Sequence, residues 1–236
     1  MEREFDNARR ARHLERGSTN PDSMGNKNTI VAVGAILAIL GSLTWLYFTE
    51  FRNGPSTNLK PFENLGYTVA DETSKLLGNQ GSVVIVTELM EVQKSPNTEA
   101  QIKGFKAGLA KKRGVTLKEV KELKRSMDGD PRLWPTGHAE QLVKMGDGAA
   151  AVVFLGSLPQ ELAKGDLALL KGSSCKLVFV TAQSPILKPL LQQGIIQLAI
   201  VNRFPPQPAP TGKETPRQWF DRVYMVVKPD ALGELP

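Results

Sequence analysis

The chain has 236 residues, with 30 Lys+Arg against 24 Asp+Glu for a formal net charge of +6, and 21 Gly, 16 Pro and one Cys. At 41% apolar and 23% charged residues it is neither disordered, collagen-like nor a multi-span protein, and a single cysteine excludes a disulfide scaffold. The basic excess is too small to indicate a nucleic-acid partner, and none is expected.

Residues 1–28 alternate charges (Glu2, Arg3, Glu4, Asp6, Arg9, Arg10, Arg12, Glu15, Arg16) and then turn to Gly, Ser, Asn and Pro. With few apolar groups to bury, this arm is expected to be disordered. The run from Thr29 to Phe48 that follows, TIVAVGAILAILGSLTWLYF, is 20 residues without a charge. As a helix it matches a hydrocarbon core of about 30 Å, with Trp45 and Tyr47 placed for one headgroup layer and Lys27 for the other. Six basic residues precede it (Arg3, Arg9, Arg10, Arg12, Arg16, Lys27), whereas Thr49 to Glu63 hold only Arg52 and Lys60, so the positive-inside rule puts the N-terminus in the cytoplasm. A cleaved signal peptide needs a shorter apolar region and small residues after it, and here the run ends in bulky Trp-Leu-Tyr-Phe. An uncleaved anchor is therefore expected. Residues 49–60, with Asn53-Gly54-Pro55-Ser56-Thr57, read as a flexible linker, and residues 61–236 as the globular domain.

In that domain, a helix over Tyr67 to Leu77 is expected on the sheet edge. Short apolar runs then alternate with helical patterns, which calls for βαβ units and a doubly wound, mostly parallel sheet of five to six strands. The strands fall at Ser82 to Thr87, Ala149 to Leu155, Lys176 to Thr181 and Ile195 to Val201, with a shorter one at Val223 to Val227. Continuous apolar runs suit strands covered on both faces. Leu117 to Leu123 fits either period and is read as a strand. Helices are expected over Asn97 to Lys112, Thr136 to Met145, Leu158 to Leu170, Pro185 to Gln193 and Pro216 to Asp221, the last burying Trp219 and Phe220.

Val83-Val84-Ile85-Val86, followed by Glu99 to Leu109 with its Gly104-Phe105 pair and by Gly114-Val115, resembles the first strand-helix unit of type I periplasmic binding proteins. Gly148 to Gly156 is similar to the third strand of the same lobe, and Ser184 to Ile200 to the next helix and strand. The resemblance covers about Ser82 to Arg203 and implies an extracytoplasmic, bacterial ligand-binding domain. The family has two lobes clasping its ligand, and this chain has room for one.

Chemistry-bearing motifs are sparse. His13 lies in the arm, and His138, at a loop-to-helix entry, reads as solvated. Cys175 has no His to pair with and is placed at the start of a strand. No metal-ligand spacing, phosphate loop, Gly-x-Gly-x-x-Gly or Gly-x-Ser-x-Gly occurs, so no cofactor is expected. Ligands of open parallel sheets bind outside the carboxyl ends of the strands. This selects Glu88, Gly156, Ser157, Thr181, Gln183, Ser184, Asn202 and Arg203 as candidate ligand-binding residues. Ser157 and Ser184 read as helix N-caps, and Glu88 and Arg203 in the simpler reading as surface charges. Lys103 to Arg125 hold nine basic residues, a patch for a polyanion or, more simply, a solvated face. Phe204-Pro205-Pro206-Gln207-Pro208-Ala209-Pro210 reads as a docking segment or a stiff spacer.

The expectation is a membrane-anchored binding module, held through Thr29 to Phe48, for a small polar ligand or an envelope protein. An enzyme of the same fold, a hydrolase or transferase with Glu88 or Asp128 as base, is the alternative, and a structural envelope protein the third reading.

Overall fold

The computed structural model describes residues 22–48, 58–90, 95–126, 129–232 and 235, with the backbone alone for 22–29. Most of the expected arm, the linker over 49–57 and Asp128 lie outside the described residues. The chain divides into two compact units, Met1–Thr57 and Asn58–Pro236.

In the first unit, helix α1 spans Asp22–Leu46 and so starts before the uncharged run. Its described apolar side chains point to solvent all round: Ile30, Val31, Leu37, Leu43 and Trp45 are each more than half exposed. Among the described residues no helix is long and apolar enough to cross a membrane.

The second unit runs α2 (Lys60–Leu76), β1 (Gly81–Leu89), α3 (Pro96–Leu109), β2 (Val115–Lys124), α4 (His138–Met145), β3 (Ala151–Leu155), α5 (Lys164–Lys171), β4 (Lys176–Thr181), α6 (Leu187–Gln192), β5 (Leu198–Asn202), α7 (Pro216–Val223) and β6 (Tyr224–Val227). These strands form one sheet in the order β2-β1-β3-β4-β5-β6. The first five are parallel, and β6 is antiparallel to β5. The ambiguous 117–123 segment is a strand, because at the sheet margin only Val115 and Leu123 need full burial. β2 carries one extra residue, Lys118, where the register with β1 shifts between Val83 and Val84.

Apolar runs in β1 and β3–β5 alternate between two cores. Val84, Val86, Phe154, Phe179 and Val201 face one core, shared with Leu142 of α4 and Leu190 and Leu191 of α6. Val83, Ile85, Val153, Val178 and Ile200 face the other, shared with Leu65 and Val69 of α2, Phe105 of α3 and Phe220 of α7. Both faces are thus covered, as continuous apolar strands require.

Helix α2 differs from the expectation twice. It begins at Lys60, with Pro61 in its first turn, and it covers a sheet face instead of the edge. The reason lies in the glycines: a Cβ on Gly66 would overlap the Gln101 carbonyl, and one on Gly104 would overlap the Glu63 carbonyl. Gly108 sits against Ala70 in the same way. These small residues bring α2 and α3 backbone to backbone, and α2 is drawn over the sheet beside α3. Buried Glu72 on α2 ties this layer together, 2.9 Å from Lys75, 3.7 Å from Arg217 of α7 and 3.6 Å from Lys228 beyond β6.

Helix α5 starts at Lys164, six residues later than Leu158, and α6 at Leu187. Before α6 the chain makes a turn in which the Leu187 N–H donates to the Ser184 carbonyl at 3.0 Å. In α7, Phe220 is fully buried while Trp219 is half-buried. The α7 start is capped by Thr215, whose Oγ1 accepts from the Gln218 N–H while the Gln218 side chain accepts from the Thr215 N–H.

Candidate functional site

The carboxyl ends of β1, β3, β4 and β5 converge on a cavity of about 300 Å³. From the candidates it takes Glu88, Gly156, Ser157, Thr181 and Asn202. Thr98 and Gln101 of α3, with Leu65, Met90 and Tyr224, complete much of the rest of the wall. The lining mixes hydroxyl, amide and carboxylate groups with aliphatic carbon.

Glu88 is the hub of the floor, and it is not a surface charge: its side chain is 3% exposed. Oε2 accepts from the Ser157 backbone N–H at 2.9 Å, and Oε1 lies 3.4 Å from the Arg125 guanidinium, which donates to it. His138 Nε2 is 3.2 Å from the same oxygen, off the line of a hydrogen bond. His138 is therefore buried at 1% side-chain exposure, not solvated. It opens α4 and packs against Trp134 at 5.1 Å between ring centroids. Trp134 Nε1 donates to the Ser157 carbonyl at 3.0 Å, and Phe154 and Phe179 complete the aromatic bed. Ser157 is held by both backbone groups.

Gly156 is required by this crowding, because a Cβ there would overlap the Phe154 ring and crowd Glu88 Cβ. Thr181 Oγ1 accepts from the Leu158 N–H at 3.2 Å, so the β3–α5 segment is pinned from β1, β4 and Trp134 together.

Neither expected N-cap forms. Ser157 lies seven residues before α5, whose cap position is Ala163. Ser184 Oγ donates to the Pro159 carbonyl at 2.7 Å, and α6 is preceded by Ile186. Gln183 and Ser184 line a different, larger cavity of about 540 Å³ with Pro185, Leu187, Pro189 and Leu235. Its wall is mostly carbon and holds no strand-end carboxylate. The strand-end cavity is the better candidate despite its smaller size, because its polar groups come from four strands and one helix and converge. Arg203 does not line it: its Nε donates to the Asp221 and Tyr224 carbonyls at 2.9 and 3.2 Å, joining β5 to α7 and β6.

The basic segment from Lys103 to Arg125 is largely engaged with its own domain. Lys103 pairs with Glu63 at 2.6 Å and Lys112 with Asp71 at 2.5 Å, and Lys118 and Lys121 donate to the carbonyls of Asp147 and Met145. Lys111 lies over the Tyr67 ring. Among the described residues no His, Cys, Asp or Glu cluster is arranged to hold a metal ion.

Away from the strand ends, the cavity residues not among the candidates are Thr98, Gln101, Leu65, Met90 and Tyr224. A signal for one of them was present: Thr98 lies in the first turn of the helix after β1, and the first turn of such a helix lies at the carboxyl end of the sheet.

This is a doubly wound α/β domain with a mixed polar crevice at its strand ends. Its parallel order 2-1-3-4-5 is one of the two common doubly wound orders, in keeping with the fold class expected from the sequence. No family model matches the chain, and no curated protein does. Similar solved structures include a sugar-binding protein of a sugar ABC transporter from Bacillus halodurans, at 17% identity and a TM-score of 0.48, covering 76% of this chain and 65% of that one. Another is AraP, an arabinose-binding protein from Geobacillus stearothermophilus, at 17% identity and 0.49, covering 76% and 64%. A third is a solute-binding protein from Burkholderia graminis in complex with D-arabinose, at 19% identity and 0.47, covering 72% and 61%. The chain spans less than two thirds of their lengths, and at these identities the likeness is one of fold.

Proposed function

We propose that the protein is a membrane-anchored binding module whose α/β domain takes a small polar ligand at the carboxyl ends of β1, β3, β4 and β5. The observation that carries this reading is the convergence of Glu88, Thr98, Gln101, Ser157, Thr181 and Asn202 on one crevice of about 300 Å³, a volume suited to a small molecule. The rigid floor supports it. Both Glu88 oxygens are engaged by protein groups, so the carboxylate orders the crevice, and the ligand meets the hydroxyl and amide groups around it.

The anchor is supported by the uncharged run from Thr29 to Phe48 and by apolar side chains exposed on all sides of α1, which water does not favour and a bilayer accepts. In this reading the N-terminus is cytoplasmic and residues 61–236 face the bacterial periplasm. Protease added to cytoplasm-facing vesicles should spare the C-terminal domain, and digestion of that domain there refutes the topology.

The ligand reading is tested by a thermal-shift screen of the full chain in detergent micelles against sugars, amino acids, nucleotides and acidic polymers. A ligand at a hundredfold excess over its dissociation constant stabilises the folded state by about 2.7 kcal/mol. Gln101→Leu and Thr98→Val should abolish a true hit, while Lys188→Ala, at the other cavity, should leave it intact. A hit lost only with Lys188→Ala moves the site to the cavity beside α6.

A further inference from the structure

We propose that the domain self-associates through the outer edge of β2, two copies pairing antiparallel about Val120. The sequence Leu117-Lys118-Glu119-Val120-Lys121-Glu122-Leu123 becomes its own charge complement when reversed: Glu119 exchanges with Lys121 and Lys118 with Glu122, while Val120 stays at the centre. An antiparallel pair centred on Val120 therefore places Glu119 of each copy directly opposite Lys121 of the other. A two-fold axis makes such an interface isologous, so one complementary contact is formed twice.

The fold leaves this edge available. β2 ends the sheet, and among the described residues β1 is its only strand partner. The Thr87 hydroxyl donates to the Lys121 carbonyl, which shows that Lys121 turns its backbone groups toward β1. In an extended strand the neighbouring residues point the other way, so Val120 directs its N–H and C=O outward, as a hydrogen-bonded pair at a two-fold axis requires. Glu119 is 57% and Lys121 30% exposed, and they lie 3.5 Å apart along the strand. Pairing turns that single contact into a four-charge cluster of alternating sign. The extra residue at Lys118 confines the strict ladder to residues 119–121, so Lys118 and Glu122 form only an outer pair of opposite charge. Edge charges commonly serve to block pairing. A block by repulsion requires like charges to meet, and this arrangement makes unlike charges meet. The proposal does not depend on what the crevice binds.

The test is sedimentation of the full chain in detergent micelles over a rising concentration series. The wild type should dimerise. Glu119→Lys sets Lys against Lys twice and should weaken dimerisation roughly tenfold, without touching the core, and Glu119→Lys/Lys121→Glu should restore it. Circular dichroism melting shows whether each variant is folded. If Lys121→Glu costs folding through the lost Met145 contact, Val120→Cys replaces the double variant: under oxidation it should form a disulfide-linked dimer, as paired strands bring these positions within bonding reach. A wild type that stays monomeric throughout overturns the proposal. So does a dimer indifferent to Glu119→Lys, which would be held by another surface such as α1.

Discussion

The Glu88 carboxylate accepts the Ser157 backbone N–H at 2.9 Å, binding the end of β1 to the chain leaving β3. The same side chain meets Arg125 from the end of β2 and His138 from the start of α4. One buried carboxylate thus orders four segments at the mouth of the crevice. Removing one partner of a buried charged pair is costly because the other is left uncompensated.

Glu88→Ala should therefore destabilise the domain by about 3 kcal/mol, read from urea unfolding midpoints. Glu88→Gln, which can still accept from Ser157 but carries no charge for Arg125, should fall between the alanine variant and wild type. Equal midpoints for all three would mean that the cluster contributes nothing to stability.

The α2–α3 contact makes a sharper prediction. Gly104→Ala forces a Cβ onto the Glu63 carbonyl, and overpacking of this kind costs about 1–3 kcal/mol. Gly165→Ala in the first turn of α5 meets no atom within 4 Å and should be neutral or stabilising by up to about 1 kcal/mol. Thermal melts of the two variants should move in opposite directions, or the second not at all.

Acid stability depends on Asp71 and Asp166 with opposite signs. Burial pushes Asp71 up, but hydrogen bonds from Lys112 and Lys75 and their charges outweigh it and hold the carboxyl below its ordinary 3.8. Its contribution is complete above 3.8 and fades as pH falls through the lower folded value. Asp71→Asn should lower the melting temperature at neutral pH, with the gap closing in acid. Burial raises Asp166, against the opposing effect of His138, so its folded state loses relative stability as pH rises past 3.8. Asp166→Asn should raise the melting temperature at neutral pH and match wild type in acid.

Trp134 ties the aromatic bed to Ser157. Trp134→Phe keeps a ring against Phe154 but leaves the Ser157 carbonyl without its indole donor, at a cost of about 1–2 kcal/mol. The unfolding midpoint should fall accordingly, and an unchanged midpoint would show that water replaces the indole.

Local pattern determined much of this protein. Apolar runs located β1, β3, β4 and β5, the alternation with helices defined the doubly wound class, and the strand-end rule found Glu88, Gly156, Ser157, Thr181 and Asn202 beside the crevice. Such features are legible because a strand covered on both faces must be apolar along its length. What Glu88 and His138 do was not legible. A charged residue at a strand end reads as solvated until partners from β2, α4 and the β3–α5 segment, as many as 69 positions away in sequence, close around it. The Ser157 and Ser184 caps failed for a related reason: the backbone of Ser157 is taken by Glu88 and Trp134, and the Ser184 hydroxyl donates to the Pro159 carbonyl. Composition and period decide which faces are buried, and only the assembled sheet decides which polar groups meet inside.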